Sequence, residues 1–536
     1  VAKITPANGE FLTAAAPGRR SDARMTEPRR KRGAERTSNR GPSAIPQLPL
    51  RRVMNPYPPM ALLSADQIEA IHHASMHILE NFGIEVMSLR ALALFERAGA
   101  RVDHSSMNVR VDRGMVDEAL KTTRPSYTLT PRNPARAIHL GGNTINFTLV
   151  AGPPNVHDME RGRRAGNLAD YCDLVRLAQH FNCIHMLGNQ VCAPIELPAN
   201  SRHLDTYFAN ITLTDKCFHV SAIGRGRALD GIEMMAIARG LTLDQIGQDP
   251  GVTTIISVNS PRRFDEMMAE GLMTMAEYGQ SVAVTPFTLM GAMSPVTLAG
   301  ALAQQNAEAL FGIVLTQLVR PGAPVMYGAF TSNVDMKSGA PAFGTPENTK
   351  ANIASGQLAR RYNLPYRTTP GSASNAADAQ GAYETLMALW GAVLGHGNLV
   401  YHAAGWQEGG LTASFEKLII DVEMMQHMME FLRPIVVDEA ELAVEALGAV
   451  STGGHFFGEP HTLERYATAF YQPMLSNWQN YEAWQEAGAL DTTARATRLW
   501  KKALEEYVEP AVDSAVREAL EAYIARRKEA IGQGEP

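Results

Sequence analysis

Through the middle of the chain, eight short apolar runs recur at a nearly even pitch, each followed by a segment with helical patterning. They occupy 145–150, 183–191, 218–223, 252–258, 281–287, 324–330, 364–369 and 398–404, and their starts lie 38, 35, 34, 29, 43, 40 and 34 residues apart. Strands joined through helices in this way are parallel, because a parallel pair needs a long crossover between its members. An open doubly wound sheet shows the same alternation, and the count of eight favours closure into an α/β fold of the (β/α)8 TIM barrel type. Such a barrel takes about 250 residues, so a chain of 536 leaves room for additions at both ends. Among the helical halves, Ser260 and Pro261 offer an N-cap and first-turn proline for a helix over 261–278, and 297–318 is apolar along most of its length and should be largely buried.

The flanks differ in character. Residues 1–52 hold 12 Lys and Arg against 4 Asp and Glu, a charge of +8 in a chain whose total is −6. Residues 1–60 are expected to form a basic flexible tail. Its arginines lack the interleaved aromatics of a nucleic-acid surface, the rest of the chain is acidic, and no apolar stretch follows the arginine pairs as a secretory signal requires. Ser64-Ala65-Asp66-Gln67 reads as a helix N-cap with its capping-box partner, and 61–143 is expected to be a small α/β cap. The barrel is assigned to 144–430 and a helical extension to 431–536. The four cysteines, Cys172, Cys183, Cys192 and Cys217, show no CxxC spacing, so neither a disulfide framework nor a zinc site is expected and a reducing cytoplasm fits. No run of 18 uncharged apolar residues is present, so no membrane span is expected. The helical extension and acidic charge make a homo-oligomer the expected state.

Barrel enzymes carry their chemistry at the C-terminal ends of the strands. Here those positions are rich in Gly, Pro, Asn, Ser and aromatic residues and poor in adjacent carboxylates, and HExxH, GxxxxGK[ST] and GxSxG are absent. His157, His219 and His402 lie near the rim without metal-ligand spacing, so no metal is assigned. Phe287, Tyr327, Phe330, Tyr366, Tyr401 and Trp406 could offer ring faces to a cation, although strand alternation turns only some of them inward together. Glu308 and Glu384, in otherwise apolar helices, need partners or access to the mouth.

In its ordered motifs the chain resembles the trimethylamine methyltransferase family of corrinoid-dependent methyltransferases, in its subgroup without pyrrolysine. The resemblance runs from about Leu63 past Trp484. It is carried by Ser294-Pro295-Val296-Thr297-Leu298-Ala299-Gly300, Asn306-Ala307-Glu308, Val319-Arg320-Pro321-Gly322-Ala323, Tyr327-Gly328 through Asp335, Phe343-Gly344-Thr345-Pro346-Glu347, Asp378-Ala379-Gln380 with Glu384, and Gly405-Trp406-Gln407-Glu408-Gly409-Gly410 leading to Ser414-Phe415-Glu416-Lys417. It implies a (β/α)8 barrel that binds a methylated amine at its mouth. A separate corrinoid (cobalamin) protein would offer Co(I) as methyl acceptor, with a methylcorrinoid:tetrahydrofolate methyltransferase acting downstream. Gly371-Ser372-Ala373-Ser374-Asn375-Ala376 corresponds to the pyrrolysine setting, with Ala373 at the special position. That departure turns the expected substrate from trimethylamine to a quaternary amine, glycine betaine first among them, because a quaternary ammonium leaves as a neutral amine without a general acid.

On this reading Tyr327, Phe330 and Trp406 form the cation cage, Phe287 is a further substrate-binding candidate, and His402, Asn259 or Gln190 binds the carboxylate end. Asp378 and Gln380 shape the loop, Ala373 leaves space, and Gly291, Gly371 and Gly405 let the corrinoid approach. The alternatives are an enzyme acting on a methylated onium compound without corrinoid, and a non-catalytic amine-binding protein.

Overall fold

The computed structural model describes residues 45–534, so the expectation for 1–44 lies outside the described residues. Each of the eight apolar runs contains a strand: β1 (Thr144–Leu149), β2 (Met186–Leu187), β3 (Cys217–Phe218), β4 (Thr253–Ile256), β5 (Ser281–Val284), β6 (Val325–Gly328), β7 (Tyr366–Thr368) and β8 (Leu399–Ala404). They pair in parallel in the order β3-β2-β1-β8-β7-β6-β5-β4. The remaining seam is bridged where His219 pairs in parallel with Thr253 and the Val220 N–H donates to the Thr253 carbonyl at 2.9 Å. The fold is a (β/α)8 barrel.

One helix follows each strand: α1 (Leu168–His180), α2 (Arg202–Leu213), α3 (Arg225–Arg239), α4 (Glu266–Glu277), α5 (Leu298–Val319), α6 (Pro346–Arg361), α7 (Ala379–Leu394) and α8 (Phe415–Phe431). Helix α5 is buried from Ala301 to Gln317, because helices of the preceding region, Ala65–His77 and Arg113–Thr122, lie on its outer side. That cover explains why its sequence is apolar all round. Ser64 caps Ala65–His77 with Gln67 completing the box. Helix α4 begins at Glu266 and not at 261. The chain first turns through the cis Ser260–Pro261 bond and pairs back on itself, Asn259 N–H donating to Arg263 O at 2.8 Å, and Asp265 then caps the helix by accepting from Met268 N–H.

Residues 45–60, expected to be part of a flexible tail, instead run across the N-terminal end of the barrel. Val53–Met54 pairs antiparallel with β1, and the Asn55 side chain donates to Val393 O at 2.9 Å. The physical reason is that Ile45 and Val53 are buried against the core while Leu48 packs beside it. A hairpin of Ser126–Leu129 and Ile138–Gly141 plugs the same end of the barrel. Its Tyr127, Leu129 and Leu140 join Met186, Met326 and Leu399 in a core inside the barrel, and Tyr127 OH meets Ser281 Oγ at 2.7 Å. Among the described residues no helix is long and apolar enough to cross a membrane.

Two long helices follow the barrel. Thr492–Glu505 packs on α8, with Trp500 Nε1 donating to the buried Glu416 at 2.9 Å. Ser514–Gly532 packs on α3 through Asp230, which accepts from His203 Nε2 at 2.8 Å, Tyr523 OH at 2.7 Å and Arg527 Nε at 2.6 Å. Asp230 is 1% exposed, so its removal takes one buried acceptor from three donors at once. Asp230→Ala is expected to cost about 3–5 kcal/mol, read as a lowered unfolding midpoint together with accelerated amide exchange confined first to residues 514–532.

Candidate active site

A cavity of about 530 Å3 opens at the C-terminal ends of the strands. Its wall is aromatic on one side. Beyond β5 and β6 the chain forms a second parallel pair, Phe287–Met290 with Phe330–Val334, in which Phe287 and Phe330 are register partners. Register partners project to the same face, so the two rings lie 4.8 Å apart between centroids. Trp406 stands edge-on to Phe330 at 6.0 Å and 4.3 Å from the His402 ring. Its indole N–H donates to Ser372 O at 3.1 Å, which fixes the plane of the ring. Phe343 backs both Phe330 (5.3 Å) and Trp406 (6.0 Å) from the buried side. The turn that presents Trp406 needs Gly405, whose φ is +86° and whose N–H donates to the buried Asp421 carboxylate at 2.8 Å. Burial raises the Asp421 pKa to about 6, against the lowering influence of Lys417.

The floor carries a positive charge. Arg367, the middle residue of β7, is 1% exposed, and its guanidinium lies 4.9 Å from the Tyr401 ring centroid and 5.5 Å from that of Phe330. Nη1 donates to Ala329 O at 3.3 Å, Nε has no partner, and among the described residues no carboxylate reaches ion-pairing distance. Desolvation lowers its pKa to about 10, so it remains a cation. A buried charge without a counter-charge is costly, and the arrangement fits an anion supplied by a ligand.

Neutral donors surround it. His402 adopts φ +63° where β8 slips register against β1, and its Nδ1 accepts from the Ala151 N–H at 3.2 Å, which leaves the proton on Nε2. Burial, with Arg367 nearby, holds its pKa well below the usual histidine range. His219 Nε2 accepts from Ile255 N–H at 2.8 Å, so its Nδ1–H is the donor in the short bond to Tyr401. Tyr401 also accepts from the Asn189 N–H at 3.2 Å. With both lone pairs engaged, the phenolic proton is uncommitted.

Of the residues expected from sequence, Phe287, Phe330, Trp406, His402 and Asn259 line this one cavity. Tyr327 does not. It points outward from β6 into the helical layer, where its hydroxyl donates to Asn306 Oδ1 at 3.0 Å and accepts from Gln305 at 3.2 Å, while its neighbour Met326 takes the interior position. Gln190 is also displaced from the lining, and Asn189 occupies that place. Asp378 caps α7 by accepting from Gly381 N–H at 3.0 Å, and Gln380 donates to Glu384 at 2.8 Å. Glu384 in turn holds the preceding loop, accepting from Ser372 Oγ (2.8 Å), Ala373 N (2.9 Å) and Ser374 N (3.0 Å). Ala373 is half-buried behind the Trp406 anchor and off the cavity wall.

Gly371 and Gly405 are buried, and a Cβ on them would meet Phe343 and Val150 at 3.2 Å, so their bareness serves internal packing and not the approach of a large ligand. Gly291 is exposed at a turn with φ +91°. Glu308 is buried and accepts from Arg262 N–H (2.8 Å) and Ser260 Oγ (2.5 Å), anchoring the turn before α4. Arg367 and Asn189 were missed by sequence reasoning. An arginine at an inward position of a barrel strand is the signal that could have found the first.

Comparison with known proteins places these residues in context. The sequence profile described as trimethylamine methyltransferase (MTTB) matches residues 29–532. The chain is 36% identical over 477 residues to a glycine betaine methyltransferase of Desulfitobacterium hafniense strain Y51, covering 89% of this chain and 99% of that protein. It is 29% identical to a trimethylamine methyltransferase MttB of Desulfitobacterium hafniense strain DCB-2 (88% and 95% covered), and 26% identical to a trimethylamine methyltransferase MttB2 of Methanosarcina mazei (89% and 97%).

The buried histidines give the fold a pH signature. Burial lowers the pKa of His185 and His219 to about 3, and that of His402 well below 6.5. Below pH 6.5 the unfolded chain takes up protons that these folded side chains refuse, so stability is full above 6.5 and falls as pH drops toward the folded values. Each such histidine contributes up to about 1.4 kcal/mol per pH unit. Unfolding midpoints measured between pH 8 and 5 should fall below 6.5, and His219→Gln should make the slope shallower.

Proposed function

The chain belongs to the trimethylamine methyltransferase (MTTB) family, and from that premise we propose that it demethylates a quaternary amine bearing a carboxylate, glycine betaine or a close relative, by transfer to the Co(I) of a corrinoid protein. The observation that carries this reading is the uncompensated Arg367 cation on the floor of a cavity whose wall is aromatic. A betaine joins a carboxylate and a methylated cation through a short carbon chain, and the two halves of the cavity complement its two ends. Arg367, with the His402 Nε2–H and the Tyr401 hydroxyl, receives the carboxylate through charge-assisted hydrogen bonds. Phe287, Phe330 and Trp406 surround the trimethylammonium group with ring faces and edges. Asp265, the acidic side chain on the cavity wall, adds negative potential that favours a ligand with a cationic group.

The proposed acceptor, a corrinoid on a partner protein, would approach through the mouth at the C-terminal ends of the strands. When docked, the corrinoid supplies a low-valent cobalt nucleophile for in-line displacement. The chain's own residues hold the substrate by its carboxylate with a methyl group toward the opening, exclude water and let a neutral tertiary amine leave. Positioning and electrostatic complementarity therefore account for the rate without a proton donor. The methyl group would pass on to tetrahydrofolate, in a cytoplasm reducing enough to keep the four cysteines free.

In an anaerobic assay with the cognate corrinoid protein reduced to Co(I), glycine betaine or a near relative should consume the Co(I) absorbance while trimethylamine does not. Loss of Co(I) with trimethylamine alone, or with no quaternary amine, would sink the proposal. Arg367→Met should raise KM for the carboxylate-bearing substrate by about 100-fold, the effect of stranding a buried ionic partner, and leave binding of tetramethylammonium within a few-fold. Phe330→Ala should weaken both ligands by about tenfold.

A further inference from the structure

A second cavity, of about 290 Å3, lies at the barrel end opposite the mouth. That volume is close to the lower bound for a small-ligand site, about 300 Å3. Three parts of the chain meet there. Residues 50–52 come from the segment laid across the barrel, 135–139 from the turn of the plugging hairpin, and His185 and Lys216 each stand one residue before a strand, β2 and β3. Arg51, Arg52, Arg136 and Lys216 share the lining, which among the described residues has no carboxylate.

Most of these groups are fixed in place and keep a donor unspent. Lys216 is 3% exposed, and its ammonium donates to Ala178 O at 2.6 Å and Phe181 O at 2.8 Å, carbonyls at the C-terminal end of α1. An ammonium has three N–H groups, so one is left for a ligand. The buried His185 accepts at Nδ1 from the Phe147 N–H at 3.0 Å, which puts the ring proton on Nε2. That nitrogen is buried without a hydrogen-bond partner, and the Arg51 carbonyl acts on the ring without meeting hydrogen-bond geometry. Arg136 places Nε 3.3 Å from Asp215 and leaves a buried Nη1 unpartnered. Arg51 is steadied by the Met429 carbonyl.

Charge in this cluster is out of balance. Among the described residues, the carboxylates that act on Arg51 and Lys216 are Glu430 and Asp215. Asp215 also accepts from Asn133 at 2.7 Å and Gln179 at 3.0 Å, and Glu430 pairs with Arg433 at 2.8 Å. Burial, with Arg136 beside it, pushes the Lys216 ammonium down to about 7, the response of a cation short of counter-charge. Residues 1–44 hold 10 Lys and Arg against 4 Asp and Glu, so their bulk charge has the wrong sign to make up the deficit.

From these observations we propose that the cavity binds a phosphate group, as inorganic phosphate or as the phosphoryl end of a small ester. Guanidinium forks and a lysine point charge suit phosphate oxygens, and two negative charges answer more of the excess than a single carboxylate does. Bound there, phosphate ties residues 50–52 to the hairpin turn and to the starts of β2 and β3. The site is separate from the cavity above Arg367, at the other end of the barrel, and does not depend on the reaction carried out there.

Calorimetric titration of the full chain with inorganic phosphate, at an ionic strength held constant with chloride, should show one saturable site per chain. Bound phosphate should slow amide exchange at residues 50–52, 135–139 and 184–185 and leave 287–293, at the mouth, unchanged. Lys216→Met should abolish binding. Arg52→Glu, at an exposed position, should weaken it at least tenfold by setting a carboxylate against the anion, a result that can be read even where the buried variant fails to fold. Tighter binding of glycerol phosphate than of inorganic phosphate would assign the ligand to an ester, and the reverse to the free ion; either upholds the site. Absence of saturation, binding that either folded variant leaves intact, or protection at the mouth in place of residues 50–52 would overturn the proposal.

Discussion

The site depends on one unbalanced charge. Arg367 sits at the middle of β7 with its guanidinium inside the barrel, held between the Tyr401 and Phe330 rings and given a single carbonyl by the protein. Ring faces stabilise the cation only in part, and the surrounding core supplies no anion. The rest of the cavity is arranged around that shortfall: His402 and His219 are kept neutral by burial, so they add donors without adding positive charge. The bulge that gives His402 its positive φ commits Nδ1 to the Ala151 backbone and leaves the other nitrogen to donate. The neighbouring scaffold pays for this local cost through a large buried core, the bookkeeping expected where function is placed ahead of stability.

Rigidity at the aromatic side comes from a relay of polar contacts that never touches the cavity. Glu384 on α7 gathers the loop 372–374, Ser372 offers its carbonyl to the Trp406 indole, and Gly405 is tied to Asp421 on α8. Lys417 pairs with Asp421 and also donates to Thr385 on α7. Two consecutive βα units thus fix one ring. The residue at the position of interest in that loop, Ala373, contributes its backbone N–H and a methyl group, so the loop's role in this chain is to hold Trp406 in place.

The barrel was legible because parallel strands are buried on both faces and read as apolar runs, and all eight runs contain a strand. What periodicity could not supply was the direction of individual side chains. A one-residue error inverts the face of a strand, and this is why Tyr327 was expected in the cage when Met326 faces inward, and why Gln190 was expected where Asn189 lies. Phe287 and Phe330 were found because both stand just past a strand end, where the chain leaves the barrel and pairs again. Arg367 went unread because the run 364–369 does not itself say whether Tyr366 or Arg367 faces the barrel interior. Residues 45–60 were taken for tail because their order comes from long-range pairing with β1, which leaves no local signature.

The hairpin that plugs the lower barrel, with Tyr127 reaching Ser281 and the strand Val53–Met54 laid against β1, makes the interior a blind well. The cavity above Arg367 opens at the C-terminal ends of the strands, so under the proposed function the substrate and the methyl acceptor would share that opening. Filling and emptying of the well would then alternate with the docking of the protein that carries the acceptor. Under the function proposed above, turnover would run in sequence, substrate first, acceptor second, acceptor away, amine last.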